Sequence, residues 1–293
     1  MKKKKFFFKK IGIMGYPRNL KNLKTHKKIY EWLRVKNYHV IMERKISNKL
    51  DMKNIPTKKA KNIGKSTDLI IVVGGDGNMI SAAKILSKYK NRIIGINHGN
   101  LGFLTDLNPN NILNILLNIL NGEFLEEKRS LLEIQIFEKK DKIYVNTAIN
   151  EIIFHSGKIT KMIEFDVYID GNFAFSQNSN GLIISTPTGS TAYSLSIGGP
   201  IISPDVNAII LNSMFSHTLY SRPIVINDTK KIQLKFKKEN IKYEINCDGQ
   251  SIFSIKDTND VFIKKSKRSF RLIHPKDYNY FNVLNRKLGW EKK

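Results

Sequence analysis

The sequence predicts an α/β domain built on a parallel sheet, followed by a mainly antiparallel β domain. Up to about residue 125, short apolar runs alternate with longer helical stretches, which is the pattern of a parallel sheet covered by helices. After Arg129 apolar residues recur with a period of two, as strands with one buried face require. A chain of 293 residues is long enough for two such domains, each with its own core. The expected boundaries are 1–127 for a nucleotide-binding α/β domain and 128–272 for the β-rich domain.

In the first domain, strands are expected at Ile11–Met14, Tyr38–Met42, Asp68–Val73 and Arg92–Ile96. Helices are expected at Leu20–Lys36, with Ile29, Trp32 and Leu33 on one face, at Asn78–Ser87, and at Asn111–Leu120 before the stop at Asn121-Gly122. Beyond Arg129, Leu132, Ile134 and Ile136 alternate with Glu133 and Gln135, and Phe165, Val167 and Ile169 with Asp166, Tyr168 and Asp170. Asp170-Gly171 signals a hairpin. Further strands are expected near 143–154, 182–185, 208–214, 223–226, 231–236, 241–247 and 261–265, and a last helix over about 277–290 packing through Tyr280, Phe281, Leu284 and Leu288. Met1–Lys10 reads as a loose tail, too short in its apolar part for a signal peptide.

Composition excludes several function classes. No apolar run approaches the roughly 18 residues of a membrane span, so a soluble chain with no membrane partner is expected. The sole cysteine, Cys247, cannot form an internal disulfide, which fits a reducing, cytoplasmic setting. None of the histidines at 26, 39, 98, 155, 217 and 274 forms an i, i+4 pair, so no protein-built metal site is expected. The net charge of +25 attracts polyanions, yet 41 of the 50 basic residues are scattered lysines. No basic stripe interleaved with aromatics or nucleic-acid-binding signature accompanies them, so a nucleic-acid partner is not expected.

Three segments carry chemistry. The apolar run Ile70–Val73 enters Gly74-Gly75-Asp76-Gly77-Asn78 and then a helix. Ligands of open α/β sheets bind at carboxyl strand ends, glycines let backbone N–H groups approach phosphate, and a helix N-terminus adds partial positive charge. A carboxylate there either caps the helix or takes a proton from an attacking hydroxyl. The Rossmann fingerprint is excluded by Ile80 at its third glycine, and Gly64-Lys65-Ser66 is no P-loop because Lys59 holds the place of the first glycine. Second, Ile94–Leu104 is another strand end opening into a glycine-rich turn, expected on the same sheet edge as Asp76. Third, Ser185–Pro200 holds seven serine and threonine hydroxyls that could bond phosphate and sugar oxygens, with Tyr193 placed to lie against a base. Asn150-Glu151 could clasp two ribose hydroxyls.

Gly74–Asn78, Asn97–Leu104, Asn150-Glu151 and Thr186–Pro200, in this order, resemble the NAD kinase family in its bacterial branch. The likeness extends to Cys247-Asp248-Gly249-Gln250 and to His274–Tyr278. It implies a ligand crevice between an α/β and a β domain, with 273–293 returning to the first domain. It also implies transfer of the γ-phosphoryl group of ATP to the adenosine ribose 2′-hydroxyl of NAD, with a divalent cation, usually magnesium, held mainly through ATP phosphates. On this chain Asp76 becomes the catalytic proton acceptor and Gly77 lies beside the substrate. Asn150, Glu151, Thr191, Ala192, Tyr193, Ser194, Leu195 and Ser196 hold the dinucleotide, with Lys161, Asn178, Asn180 and Gln250 at further contact positions. Asn180 departs from the family's usual Asp. A homo-oligomer is also implied. Gly-Gly-Asp-Gly alone is shared with phosphofructokinases and lipid kinases, so a kinase of another hydroxyl compound is the alternative enzyme, and a basic nucleic-acid-binding protein the alternative from another class.

Overall fold

The computed structural model describes residues 7–17, 20–97, 102–105, 107, 111–157, 162–216, 220–237 and 242–290. Contacts divide the chain into one unit of Met1–Lys128 with Phe270–Lys293 and a second of Arg129–Ser269.

The first part of the chain runs β1 (Lys10–Met14), α1 (Leu20–Val35), β2 (His39–Glu43), α2 (Arg44–Lys49), β3 (Thr57–Lys58), α3 (Ala60–Ile63), β4 (Leu69–Val73), α4 (Asp76–Leu86), β5 (Arg92–Ile96) and α5 (Ile112–Leu120). The strands that follow are β6 (Leu125–Glu138), β7 (Asp141–Ala148), β8 (Glu151–His155), β9 (Ile163–Ile169), β10 (Asn172–Ser179) and β11 (Gly181–Ser185). Then come α6 (Tyr193–Ser196), β12 (Ala208–Met214), β13 (Ile224–Asn227), β14 (Ile232–Phe236), β15 (Tyr243–Cys247), β16 (Ser251–Ile255), β17 (Asp260–His274) and α7 (Tyr280–Leu288).

In the first unit the strands pair in the order β17–β5–β4–β1–β2–β3, every pair parallel. β4, Leu-Ile-Ile-Val-Val, is buried at every residue because parallel sheets are covered on both faces. α1 buries Asn22, Thr25, His26, Ile29, Tyr30 and Leu33, a stripe at helical spacing that faces the sheet. The end of β17 joins this unit through Arg271 and Leu272 beside β5, and Ile273 enters its core.

Two sheets form the second unit. One carries the pairings β10–β9–β14–β17 and β17–β6–β7, and the other runs β13–β12–β11–β8–β15–β16 with every pair antiparallel. The expected alternation is present, with Leu132, Ile134 and Ile136 joining Phe165, Val167, Leu182 and Ile184 in one core. The Asp170-Gly171 turn links β9 to β10, with φ of 49° and 83°. Every residue of β11 is buried because Ile183 faces the other way, into a small cluster with Ile153, Met214 and Ile197.

Three expectations are corrected. Residues 7–10 are not loose: Phe8 is in the core, Phe7 and Phe8 pack on Phe124, and Lys10 opens β1. Strand 143–154 is two strands, β7 and β8, because the backbone N–H groups of Ile149 and Asn150 bond Asp248 instead of a neighbouring strand. In α7, Phe281 is exposed and Val283 is buried with Leu284. The short α2, β3 and α3 carry too little periodicity to be read from sequence. Among the described residues no helix is long and apolar enough to cross a membrane.

α7 begins at Asn279, whose Oδ1 accepts from the N–H groups of Phe281 at 2.8 Å and Asn282 at 3.2 Å, and it ends at the left-handed Gly289. Asn279→Ala should lower stability by about 1 kcal/mol, measured by urea unfolding. An unchanged midpoint would show that the cap is not holding the helix.

Candidate active site

In the first unit the parallel strands deliver three loops to one sheet edge. After β1 comes Gly15-Tyr16, after β4 Gly74–Asn78, and after β5 the segment that begins at Asn97. Asn78 ties the first two, accepting from Tyr16 N–H at 2.9 Å and donating to its carbonyl at 3.1 Å. Gly74, at φ 147°, makes room for this: a Cβ there would come within 2.0 Å of Asn78 Nδ2.

Asp76 ties the second loop to the third. Its carboxylate accepts from Phe103 N–H at 2.9 Å, Leu104 N–H at 3.1 Å and the Thr105 hydroxyl at 3.0 Å. The approach is close enough that a Cβ on Gly102 would lie 2.1 Å from Asp76 Oδ1. Asp76 does not cap α4, because that position belongs to Gly75. It is half-buried in the first turn of the helix, where a negative charge is favoured. Gly77 beside it is exposed.

In the second unit Asp248 does similar work. It sits with Gly249 in a turn at φ 57° and 66°, and its oxygens accept from the N–H groups of Ile149 at 2.9 Å, Asn150 at 2.8 Å and Glu151 at 3.3 Å. Glu151 is thereby drawn into the interior at 5% exposure, and its Oε2 has no hydrogen-bond partner. Burial, reinforced by the Asp248 charge and partly offset by the Tyr193 N–H, pushes the Glu151 carboxyl up to about 8.

The Thr186–Pro200 segment docks on the same place. Thr186 donates to the Ile149 carbonyl at 2.6 Å, and Gly189 approaches Asn150 so closely that a Cβ would meet its carbonyl oxygen at 2.1 Å. Most hydroxyls expected to face a ligand are instead internal braces. Ser185 and Ser190 donate to backbone carbonyls, Thr188 accepts from Arg129, Thr191 bonds the Thr188 carbonyl, and Ser194 is buried beside Asn212. A tight turn has few other partners for its carbonyls, so its own hydroxyls serve it. Thr191, Ala192 and Leu195 are half-buried, and Tyr193 and Ser196 are exposed.

Tyr193 and Asn180 line one cavity of about 320 Å³, with Ile153, His155, Gly157, Met214, Phe215 and Asn246. Apolar walls with a few polar groups suit a flat heteroaromatic ring. Asn178 is exposed on β10 and Gln250 is exposed at the end of the β15–β16 return, neither among the residues lining this cavity. Lys161 lies outside the described residues, as do 98–101 of the second motif.

The sequence matches the family model of the ATP-NAD kinase N-terminal domain over residues 11–124 and that of the C-terminal domain over 149–275. The chain belongs to the NAD kinase family. It is 54% identical to an NAD kinase of Photorhabdus laumondii over 286 residues, 98% of each chain, and 54% identical to one of Buchnera aphidicola subsp. Baizongia pistaciae over 290 residues, 99% of each. Its fold resembles that of yeast NADH kinase complexed with NADH, with a TM-score of 0.86 and 22% identity over 97% of this chain and 89% of that one. It also resembles an Archaeoglobus fulgidus NAD kinase in complex with ATP, with a TM-score of 0.74 and 23% identity over 94% and 98%.

Within this NAD kinase family fold, sequence reasoning gave no role to Asp248, Gly102 or Thr105. Asp248-Gly249 carried the one available signal, a turn dipeptide at the end of a strand run. The partners of Gly102 and Thr105 lie too far off in sequence to be read.

Glu151 generates a pH prediction. Its folded value of about 8 against an ordinary 4.5 means that the folded chain keeps a proton the unfolded chain releases. Its contribution to stability is therefore complete below 4.5 and is lost as pH rises through about 8. Glu151→Gln, a mimic of the protonated acid, should show a shallower fall in unfolding free energy across this window in urea titrations. Parallel profiles for the two proteins would show Glu151 to be ionised.

Proposed function

We propose that this chain transfers the γ-phosphoryl group of ATP to the adenosine ribose 2′-hydroxyl of NAD, forming NADP and ADP. The observation that carries the proposal is a carboxylate fixed by three hydrogen bonds at the strand ends of a chain from this family. A carboxylate has about four acceptor positions. With three of them filled by the loop, one on Oδ2 is left for the ribose hydroxyl.

Asp76 accepts the 2′-hydroxyl proton as that oxygen bonds to the γ-phosphorus, and the bond from phosphorus to the β–γ bridging oxygen breaks to release ADP. Phosphoryl transfer passes through a loose transition state, so alignment contributes more than covalent chemistry. The linkage of the strand-end loops through Asp76 and Asn78 supplies that alignment. The glycine turn at the start of α4, where Gly77 is exposed, suits the triphosphate. NAD is held by the second unit, with the cavity beside Tyr193 and Asn180 taking a base and Asn150 and Glu151 the ribose. Thr191, Ala192, Ser194, Leu195 and Ser196 shape the Tyr193 turn, and Asn178, Gln250 and Lys161 belong to the outer contacts.

Among the described residues no group of three or more His, Cys, Asp or Glu side chains could hold a metal ion. Magnesium, which takes few protein ligands when phosphates are present, fits this donor set as a cation carried by ATP. When bound it neutralises charge developing on the phosphoryl oxygens. A homo-oligomer is part of the same proposal, supported by the edge strand β13, where Ile224 and Val225 are exposed. A cytoplasmic setting is supported by the lone, buried Cys247.

Purified protein with ATP, magnesium and NAD should form NADP, and incubation with fructose 6-phosphate or diacylglycerol in place of NAD should not consume ATP. Asp76→Asn, which keeps one acceptor oxygen for the loop, should lose all but about a tenth of turnover or less while binding NAD within a few-fold. Retained turnover would remove Asp76 from the chemistry. Asn180→Asp should tighten NAD binding in calorimetry by roughly three- to ten-fold, because a charge-assisted hydrogen bond replaces a neutral one. No change would mean that the position does not touch the ligand.

A further inference from the structure

A second concavity, of about 570 Å³, lies in the first unit and is lined by Arg44, Thr57, Lys58, Lys59, Asn62 and Lys65. It is assembled from elements at the edge of the parallel sheet: Arg44 follows β2, Thr57 and Lys58 form β3, and Lys65 lies in the turn after α3. Four of its six lining residues are cations, and no carboxylate is among them. None of the four takes part in an ion pair among the described residues. Elsewhere cations find acids, as Arg92 and Arg271 do with Glu126 and Lys265 does with Asp228.

The cavity is also partly pre-set. Lys58 is half-buried, and its ammonium donates to the Ser66 hydroxyl. Thr57 and Asn62 add uncharged donors to the same lining. Like charges brought together without a counter-charge repel one another, and a ligand carrying several negative charges relieves that repulsion while bonding the donors.

We propose that this concavity is a binding site for a small molecule bearing a chain of phosphates, separate from the site at Asp76. Two features fix the ligand class. The cations converge on one cavity of ligand size instead of following a stripe, and no aromatic side chain lines it to stack a base. Both argue for a compact polyanion and against a nucleic-acid strand. Separation from Asp76 follows from strand order: β1 and β2 lie between β4 and β3, and three spacings of about 4.8 Å put the two strand ends roughly 14 Å apart.

The test is calorimetric titration of the full chain with inorganic tripolyphosphate at low salt. Arg44→Ser/Lys58→Ser/Lys65→Ser is compared with a control of equal charge loss at the exposed Lys28, Lys88 and Lys140. Saturable binding that the first triple variant weakens ten-fold or more, and the control two-fold or less, is the expected result. NADP formation at saturating substrates should stay within two-fold of the parent in both. Equal weakening in the two variants would assign binding to diffuse charge and overturn the proposal, as would the lack of saturable binding. A single-stranded RNA oligonucleotide bound in preference to tripolyphosphate, and lost with the same substitutions, would overturn it in favour of a nucleic-acid surface. If the triple variant loses its melting transition, Lys59→Ser and Lys65→Ser, both at exposed side chains, decide the matter by the same comparison.

Discussion

The first unit depends on one carboxylate that joins two of its strand-end loops. Asp76 accepts three hydrogen bonds from the segment after β5, and in doing so it fixes that segment against the glycine turn after β4. Parallel strands leave their carboxyl ends unconnected to one another, so the edge of such a sheet is open until side chains bridge it. Asp76 and Asn78 are those bridges, each reaching a different neighbour. A carboxylate held as a structural brace is already oriented for the proton transfer proposed for it. That orientation has a cost in versatility, because a brace with most of its acceptor positions filled can serve one incoming hydroxyl and little else.

The second unit reaches a related solution with the roles divided between two acids. Asp248 is the brace, taking the N–H groups that β7 and β8 leave unpaired where they part. Glu151 is then drawn inside, where burial and the Asp248 charge hold its proton. A protonated carboxyl can donate as well as accept, which suits the ribose contact proposed for it. Thr186 holds the segment to the Ile149 carbonyl, Ser190 and Thr191 hold the turn's own Pro187 and Thr188 carbonyls, and Tyr193 is left exposed.

These features explain what the sequence disclosed and what it withheld. The α/β and β halves were legible because burial imposes periods of 3.6 and 2 on apolar residues, visible in α1 and β6 without knowledge of any contact. Asp76 was legible because an acid among three glycines at a strand end conflicts with its neighbours unless it has a role. Its partners were not, since Phe103, Leu104 and Thr105 meet it only after α4 and β5 intervene. Composition misled over Ser185–Thr191, where abundance of hydroxyls says nothing about whether they face a ligand or their own backbone. It misled again over 7–10, where lysines disguised two phenylalanines that pack on Phe124.

Charge follows the same logic. A net charge of +25 spread over scattered lysines describes a surface, and its meaning changes only where folding gathers cations without acids. Just past β14, Lys237 meets Glu164 and Asp166 of β9, and the local balance is restored. Around β3 it is not restored, because the edge strand, the turn after α3 and the start of α2 contribute Arg44, Lys58, Lys59 and Lys65 and no acid to the same cavity. Sequence separation does not exceed about twenty residues there, yet no pattern in the linear chain marks the convergence. It arises because short elements at a sheet edge fold back on one another. The total charge therefore carries little information about ligands, and the positions where charge remains uncompensated carry most of it.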